Sequence, residues 1–166
     1  MKEILLSVLT ICFLSNIHAE YKNTNGKAIN KSFSDLLEWR SNRTKPNLSI
    51  IKTTDTWKQI NSISTNYGVW IGHSTFLLNN GSLDILTDPI FSNRASPISF
   101  AGPKRLIKPP LEISNLLNVD IVVISHNHYD HLDIPSLKKI QKKFPDVVFL
   151  VPVGDKSLLS KYNLNN

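Results

Sequence analysis

Six consecutive residues, His126-Asn127-His128-Tyr129-Asp130-His131, contain three of the chain's five histidines together with an aspartate. Imidazole nitrogen and carboxylate oxygen are borderline ligands that suit zinc, iron and manganese. A surface loop with accidental histidines is the plain alternative, but three imidazoles and a carboxylate in one short segment favour metal binding. The segment follows Asp120 to Ser125 (DIVVIS), a short apolar run typical of a buried parallel strand. It therefore stands at the carboxyl end of a strand, where open α/β sheets place their sites. Alternate residues at a strand end project to one side, so His126 and His128 can hold one ion together. Asp130 and His131, as the chain turns into a helix, can face a second ion nearby. Such a pair of ions would hold a bridging hydroxide and stabilise the anionic transition state of a hydrolysis.

The surrounding pattern supplies elements to position these residues. Val69 to Leu78 (VWIGHSTFLL) reads as a strand, then Asn79-Asn80-Gly81 as a hairpin turn, then Leu83 to Thr87 as a second strand. On those surroundings His73 reads as a hydrogen-bonded core histidine, and Asp88, before Pro89, as a turn residue. Residues 89–115 form a proline-punctuated loop whose length suggests a functional or wrapping role. Ile134 to Lys143 is predicted as a helix with Leu137, Ile140 and Phe144 on one side and four lysines elsewhere. Val147 to Val151 reads as another buried strand, and Gly154 to Tyr162 as the start of another helix. This alternation predicts α/β layering. Upstream, residues 20–66 are a polar arm with a short helix around Phe33, Leu36, Leu37 and Trp39, capped by Ser32 or Ser34 and ended by Lys45-Pro46. Trp39 and Trp57 are expected to pack that arm over the core.

A chain of 166 residues with a formal net charge of +6 suits one ordinary domain and excludes a large multidomain enzyme. The single cysteine excludes a disulfide framework, a cysteine zinc finger and an iron–sulfur protein. Residues 1–19 (MKEILLSVLTICFLSNIHA) combine Lys2, an apolar stretch from Ile4 to Leu14 and a terminal Ala19. That pattern fits a cleavable signal peptide, being shorter than the roughly 20 residues a spanning helix needs. Export to the periplasm or cell envelope is the expectation, with an uncleaved membrane anchor as the alternative. The expected division is thus a leader at 1–19, the arm at 20–66 and an α/β portion at 67–166. The basic residues are interspersed rather than concentrated with aromatics, which argues against nucleic-acid binding.

HNHYDH matches HxHxDH, the metal motif of the metallo-β-lactamase fold superfamily, and the chain resembles that superfamily. The stretches WIGHSTFLL (70–78), LTDPIFSNRASPISFAGPKR (86–105) and ISHNHYDHLDIPSL (124–137) resemble one branch, the N-acyl phosphatidylethanolamine-hydrolysing phospholipase D-like proteins. FSDLLEWRSNRTKP (33–46) and FLVPVGDKSLL (149–159) resemble it as well. The resemblance implies the N-terminal half of an αββα sandwich and two zinc ions, with iron or manganese as alternatives. It implies that His126 and His128 ligate the first ion and Asp130 and His131 the second. Asp130 is also the expected catalytic residue, orienting the bridging hydroxide. Asp88 would support the site by hydrogen bonding, His73 would do the same or line the pocket, and Tyr129 would either line the pocket or pack against the sheet.

Complete members of the superfamily carry further histidine and aspartate ligands in a second half, and no histidine follows His131 here. The chain therefore reads as an N-terminal portion of such an enzyme. The resemblance implies a phosphodiesterase acting on an N-acylated phospholipid or another anionic small molecule. Lys104, Arg105 and Lys108 would then favour an anionic membrane surface. Two alternatives stand: a lactonase or other metallo-hydrolase of the same fold, and a non-catalytic remnant or interaction protein. The sequence is silent on oligomeric state.

Overall fold

The computed structural model describes residues 32–44, 54–62 and 66–165. The expected leader at 1–19, with Cys12, and the expected helix stop at Lys45-Pro46 lie outside the described residues. These residues fall into two units, divided after residue 47, and each is described by itself. The first holds helix α1, Phe33–Ser41. Ser32 accepts from the Asp35 N–H at 3.2 Å, while the Asp35 carboxylate accepts from the Ser32 N–H at 2.7 Å. This reciprocal capping satisfies two donors that a helix start leaves unpaired. The helix ends earlier than expected, at Ser41, where the Asn42 N–H closes on Glu38 O. Trp39 is 60% exposed. In the second unit Trp57, on a 3₁₀ turn at Thr56–Ser62, packs against the hydrophobic core.

The second unit is built on one five-stranded sheet whose strand order is the chain order: β1 Tyr67–Gly72, β2 Thr75–Asn79, β3 Asp84–Thr87, β4 Ile121–Val123 and β5 Val148–Leu150. The first three strands run antiparallel as a meander, and β3, β4 and β5 are parallel. The register sets Val69, Leu77, Leu86, Val122 and Phe149 in one row across all five strands. That row faces the core. Beneath it lie Leu137 and Ile140 of α2 (Ile134–Lys143), Leu159 of α3 (Asp155–Ser160), and Leu111, Leu116 and Val147. Burial of such side chains stabilises by about 1.5–3 kcal/mol each. The opposite face carries Trp70, Phe76, Leu78, Val148 and Leu150, all partly exposed. A sheet with helices on one side is the αβ half of the expected sandwich.

One expected strand is two. Val69 to Leu78 breaks at Gly72 (φ 136°), and His73-Ser74 turns β1 back onto β2. The small and polar Gly-His-Ser triplet interrupts the apolar run, and glycine supplies a backbone angle that Ile or Leu would resist. His73 thus sits on a turn tip rather than within a strand. The next hairpin forms as predicted, with Asn79 and Asn80 side chains accepting from the N–H groups of Gly81, Ser82 and Leu83. Between β3 and the 3₁₀ turn at Ile113–Asn115, the proline-rich loop folds back on itself through a bridge between Arg94 and Lys104. Arg105 spends much of its guanidinium on that loop, donating from Nε to Ser92 O at 3.2 Å and from Nη2 to Ile90 O at 2.5 Å. Lys143 likewise donates to the carbonyls of Ile113, Ser114 and Leu116. Among the described residues no helix is long and apolar enough to cross a membrane.

Candidate metal centre

The donors gather at the carboxyl ends of β3 and β4. The Asp88 N–H donates to Val123 O at 2.8 Å, carrying the parallel pairing one step past β3 and bringing Asp88 beside Ser125. Asp88 has φ +38°, a left-handed conformation that costs of order 1 kcal/mol or more in a residue with a Cβ. The kink is held from β2, because Thr75 Oγ1 donates to Asp88 O at 2.7 Å and accepts from the Ile90 N–H at 3.2 Å. Asp88 as a whole is 5% exposed. It accepts from the Ser125 N–H at 2.7 Å, the Ser125 hydroxyl at 2.8 Å and His131 Nδ1 at 2.8 Å. Asp88 is therefore both a turn residue and a buried acceptor behind the site.

Counting protons fixes the tautomers. Ser125 gives its one hydroxyl proton to Asp88, so its oxygen accepts from His126 Nδ1, 2.9 Å away. His131 also carries its proton on Nδ1, toward Asp88. Both rings then present a bare Nε2 outward, the state in which a neutral histidine ligates a metal. His126 Nε2 lies 3.1 Å from His128 Nδ1, and His131 Nε2 lies 3.6 Å from Asp130 Oδ2. Two ligands of a tetrahedral zinc stand roughly 3.3 Å apart, given bonds of about 2.0–2.1 Å. His126, His128 and Asp130 offer ligand atoms that all lie within 4.8 Å of one another. The chemistry and spacing of the donors fit a divalent metal of the zinc, iron or manganese class.

Electrostatics keeps the donors in ligating form. Desolvation, with the neighbouring His131 and His128 rings, holds the His126 imidazole below its ordinary pKa against the opposing pull of Asp130 and Asp88. Burial works to raise the Asp130 carboxyl. Its backbone hydrogen bond and the nearby His131 and His73 outweigh burial, and the carboxyl ends below its usual value. Asp130 is thus ionised at neutral pH.

The supporting residues differ in their parts. His73 Nε2 lies 3.1 Å from Asp130 Oδ2, so a residue 57 positions away reaches the centre. Tyr129 is 55% exposed, more than packing on the sheet would leave it. Asn127 donates to the buried Asp155 carboxylate at the start of α3, which anchors the ligand segment from the other side. A cleft of about 450 Å³ opens from His73 and Asp130 between Trp70, Ile90, Arg105 and Leu106. Three residues were missed from sequence: Ser125, Thr75 and Asp133. Ser125 adjoins the histidines and could have been suspected. Thr75 looked like one more strand residue. Asp133 accepts from both Ser92 groups, 41 positions away, and its pattern carries no local sign of that.

The beta-lactamase superfamily domain matches residues 69–157, over half of the chain and the whole of this centre. The chain belongs to that superfamily. Among curated superfamily relatives, N-acyl-phosphatidylethanolamine-hydrolyzing phospholipase D 1 of Caenorhabditis elegans is 39% identical over 98 residues, covering 59% of this chain and 28% of the worm protein. A UPF0173 metal-dependent hydrolase of Pyrobaculum islandicum is 41% identical over 63 residues, covering 38% of this chain and 23% of that protein. The crystal structure of a possible metal-dependent hydrolase from Veillonella parvula aligns with a TM-score of 0.49 at 26% identity, covering 61% of this chain and 40% of the other. The matched part spans about a quarter of the length of these curated relatives.

Proposed function

We propose that this superfamily member is a metal-dependent hydrolase whose substrate is a phosphodiester of the N-acyl phosphatidylethanolamine type, cleaved in the manner of a phospholipase D, with zinc as its metal. The observation that carries the reading is the proton arrangement behind the site, in which Asp88 and Ser125 turn the Nε2 atom of His126 toward His128 and that of His131 toward Asp130, the carboxylate that also belongs to the His126–His128 set. A metal held there supplies Lewis acidity toward a phosphoryl oxygen and lowers the pKa of water. The chain's own residues do the rest. Asp88 and Ser125 keep the imidazoles oriented, and ionised Asp130 accepts a proton or hydrogen bond at the reacting centre. The cleft from Trp70 to Leu106 receives an apolar part of the substrate.

Support for the phospholipid class comes from the worm relative's name and from that cleft. Leu106 and Phe100 are exposed on the proline-rich loop, near Lys104, as contact with a lipid surface would require. With residues 1–19 as a leader, the reaction belongs to the periplasm or cell envelope. The test is hydrolysis of N-acyl phosphatidylethanolamine in mixed micelles, beside a lactone and a simple aryl phosphodiester, with and without chelator. Chelator-sensitive release of phosphatidic acid that His128→Ala abolishes is the expected result. Lactone turnover alone would replace the substrate class, and metal binding without any turnover would leave an interaction protein. Metal analysis of the purified chain separates zinc from iron and manganese.

A further inference from the structure

His73 does not rest passively against the centre. It occupies the first position of the two-residue β1–β2 connection with φ +50°, a left-handed angle for which a turn ordinarily selects glycine, asparagine or aspartate. The turn is pinned from three sides: Trp70 Nε1 donates to His73 O at 2.9 Å, Thr87 Oγ1 donates to Ser74 O at 2.8 Å, and Thr75 is tied to Asp88. The imidazole is thereby delivered edge-on to His131, with ring centroids 5.1 Å apart. Its Nε2 points at Asp130 Oδ2. A simple ion pair is a poor reason for this construction. Both side chains are over 40% exposed, and ion pairs so open to water contribute little.

The three atoms make a better set as ligands. His131 has Nδ1 committed to Asp88, so its Nε2 faces Asp130 Oδ2 at 3.6 Å, and His73 Nε2 faces the same oxygen at 3.1 Å. Those two separations straddle the roughly 3.3 Å between neighbouring ligands of a tetrahedral zinc. All three donors lie within 4.8 Å of one another. We propose that His73 is itself a metal ligand, completing with Asp130 and His131 a three-donor site beside the His126–His128–Asp130 set. The two sets share Asp130, and the chain holds a second ion with ligands drawn from its own β1–β2 turn. This inference rests on the metal-dependent reading above and adds a ligand to it.

The test is cobalt titration of the full chain, followed by visible absorption and equilibrium dialysis. The wild type should take up two ions. His73→Ala should lose one of them or weaken it roughly 10- to 100-fold, comparable to the loss on disturbing a metal's supporting groups. His128→Ala should weaken only the other. His73→Cys, made in a Cys12→Ser chain, should gain a near-ultraviolet sulfur-to-cobalt charge-transfer band, which a hydrogen-bonding role could not produce. Far-ultraviolet circular dichroism of each metal-free variant checks its fold, and His73→Cys keeps a donor where His73→Ala does not. Unchanged two-ion binding by His73→Ala, or cobalt binding by His73→Cys without the band, would overturn the inference and leave the metal-dependent reading standing. A folded wild-type chain that binds no cobalt would overturn both.

Discussion

The Asp88 carboxylate accepts three hydrogen bonds while nearly sealed from water, and two of them come from Ser125. Replacing it by Ala strands the Ser125 N–H and removes the partner of His131 Nδ1. A buried donor left unpaired costs about 1–3 kcal/mol. Ser125 is itself exposed, so water can reach part of what is stranded, and Asp88→Ala should lower unfolding free energy by about 1 kcal/mol, the lower end of that range, in denaturant titrations. Ser125→Ala should fold almost normally, yet weaken metal binding about 10-fold or more, because nothing then fixes the His126 tautomer. A Ser125→Ala chain with unchanged affinity would show that the hydroxyl relay is idle. At this scale the contiguous ligands His126, His128, Asp130 and His131 were legible, since their types and spacing lie in one segment. Asp88 was half legible, as the turn before a proline. The tie from Ser125 to Asp88 and the reach of His73 were not, because both depend on residues 37 and 57 positions away.

At the scale of elements, the sheet is tied at both ends. At the end away from the metal donors, Tyr67 on β1 donates to Asp84 on β3 at 2.8 Å, across the intervening β2, and Asn79 donates to the same carboxylate oxygen. Desolvation, then the hydrogen bond to Asp84 and its negative charge, push the Tyr67 phenol up to about 12 from an ordinary value near 10. The folded state thus favours the neutral phenol. That contribution is complete below pH 10 and is lost as pH rises through about 12. Unfolding free energy measured from pH 9 upward should fall in that window, and Tyr67→Phe should flatten the fall. An alkaline limb of the same slope in both chains would mean that other groups cause it. Helix α2 and the two hairpin-forming asparagines were readable from periodicity and turn chemistry. The β1–β2 turn was not, because apolar residues on both sides of Gly72 made one continuous strand the simpler reading. The outward face of the sheet was not legible in the strand residues themselves: β4 and β5 read as fully buried runs, whereas Val148 and Leu150 face outward.

For the molecule as a whole, metal and stability are linked. The ligands come from the segment after β4, and Asp88, Ser125 and Asn127 connect them to β3 and α3. An ion bound by the folded chain alone stabilises it by about 2.7 kcal/mol at a free concentration 100 times its dissociation constant. Zinc should raise the thermal midpoint by several degrees, chelator should reverse the rise, and His128→Ala should reduce it. A midpoint indifferent to zinc would mean that the donors do not bind it in this chain. The strictly sequential strand order has a further consequence, for the way the protein is made. Each strand adds to an edge built by its predecessor, so the sheet can grow by accretion as the chain emerges, N-terminus first. The β1–β3 meander can pair before β4 emerges, whereas the Asp88 carboxylate gains its Ser125 and His131 partners only afterwards. His126 to His131 follow β4 in the chain, so an ion held by them would be captured after the sheet has begun to form rather than serving as the nucleus of folding.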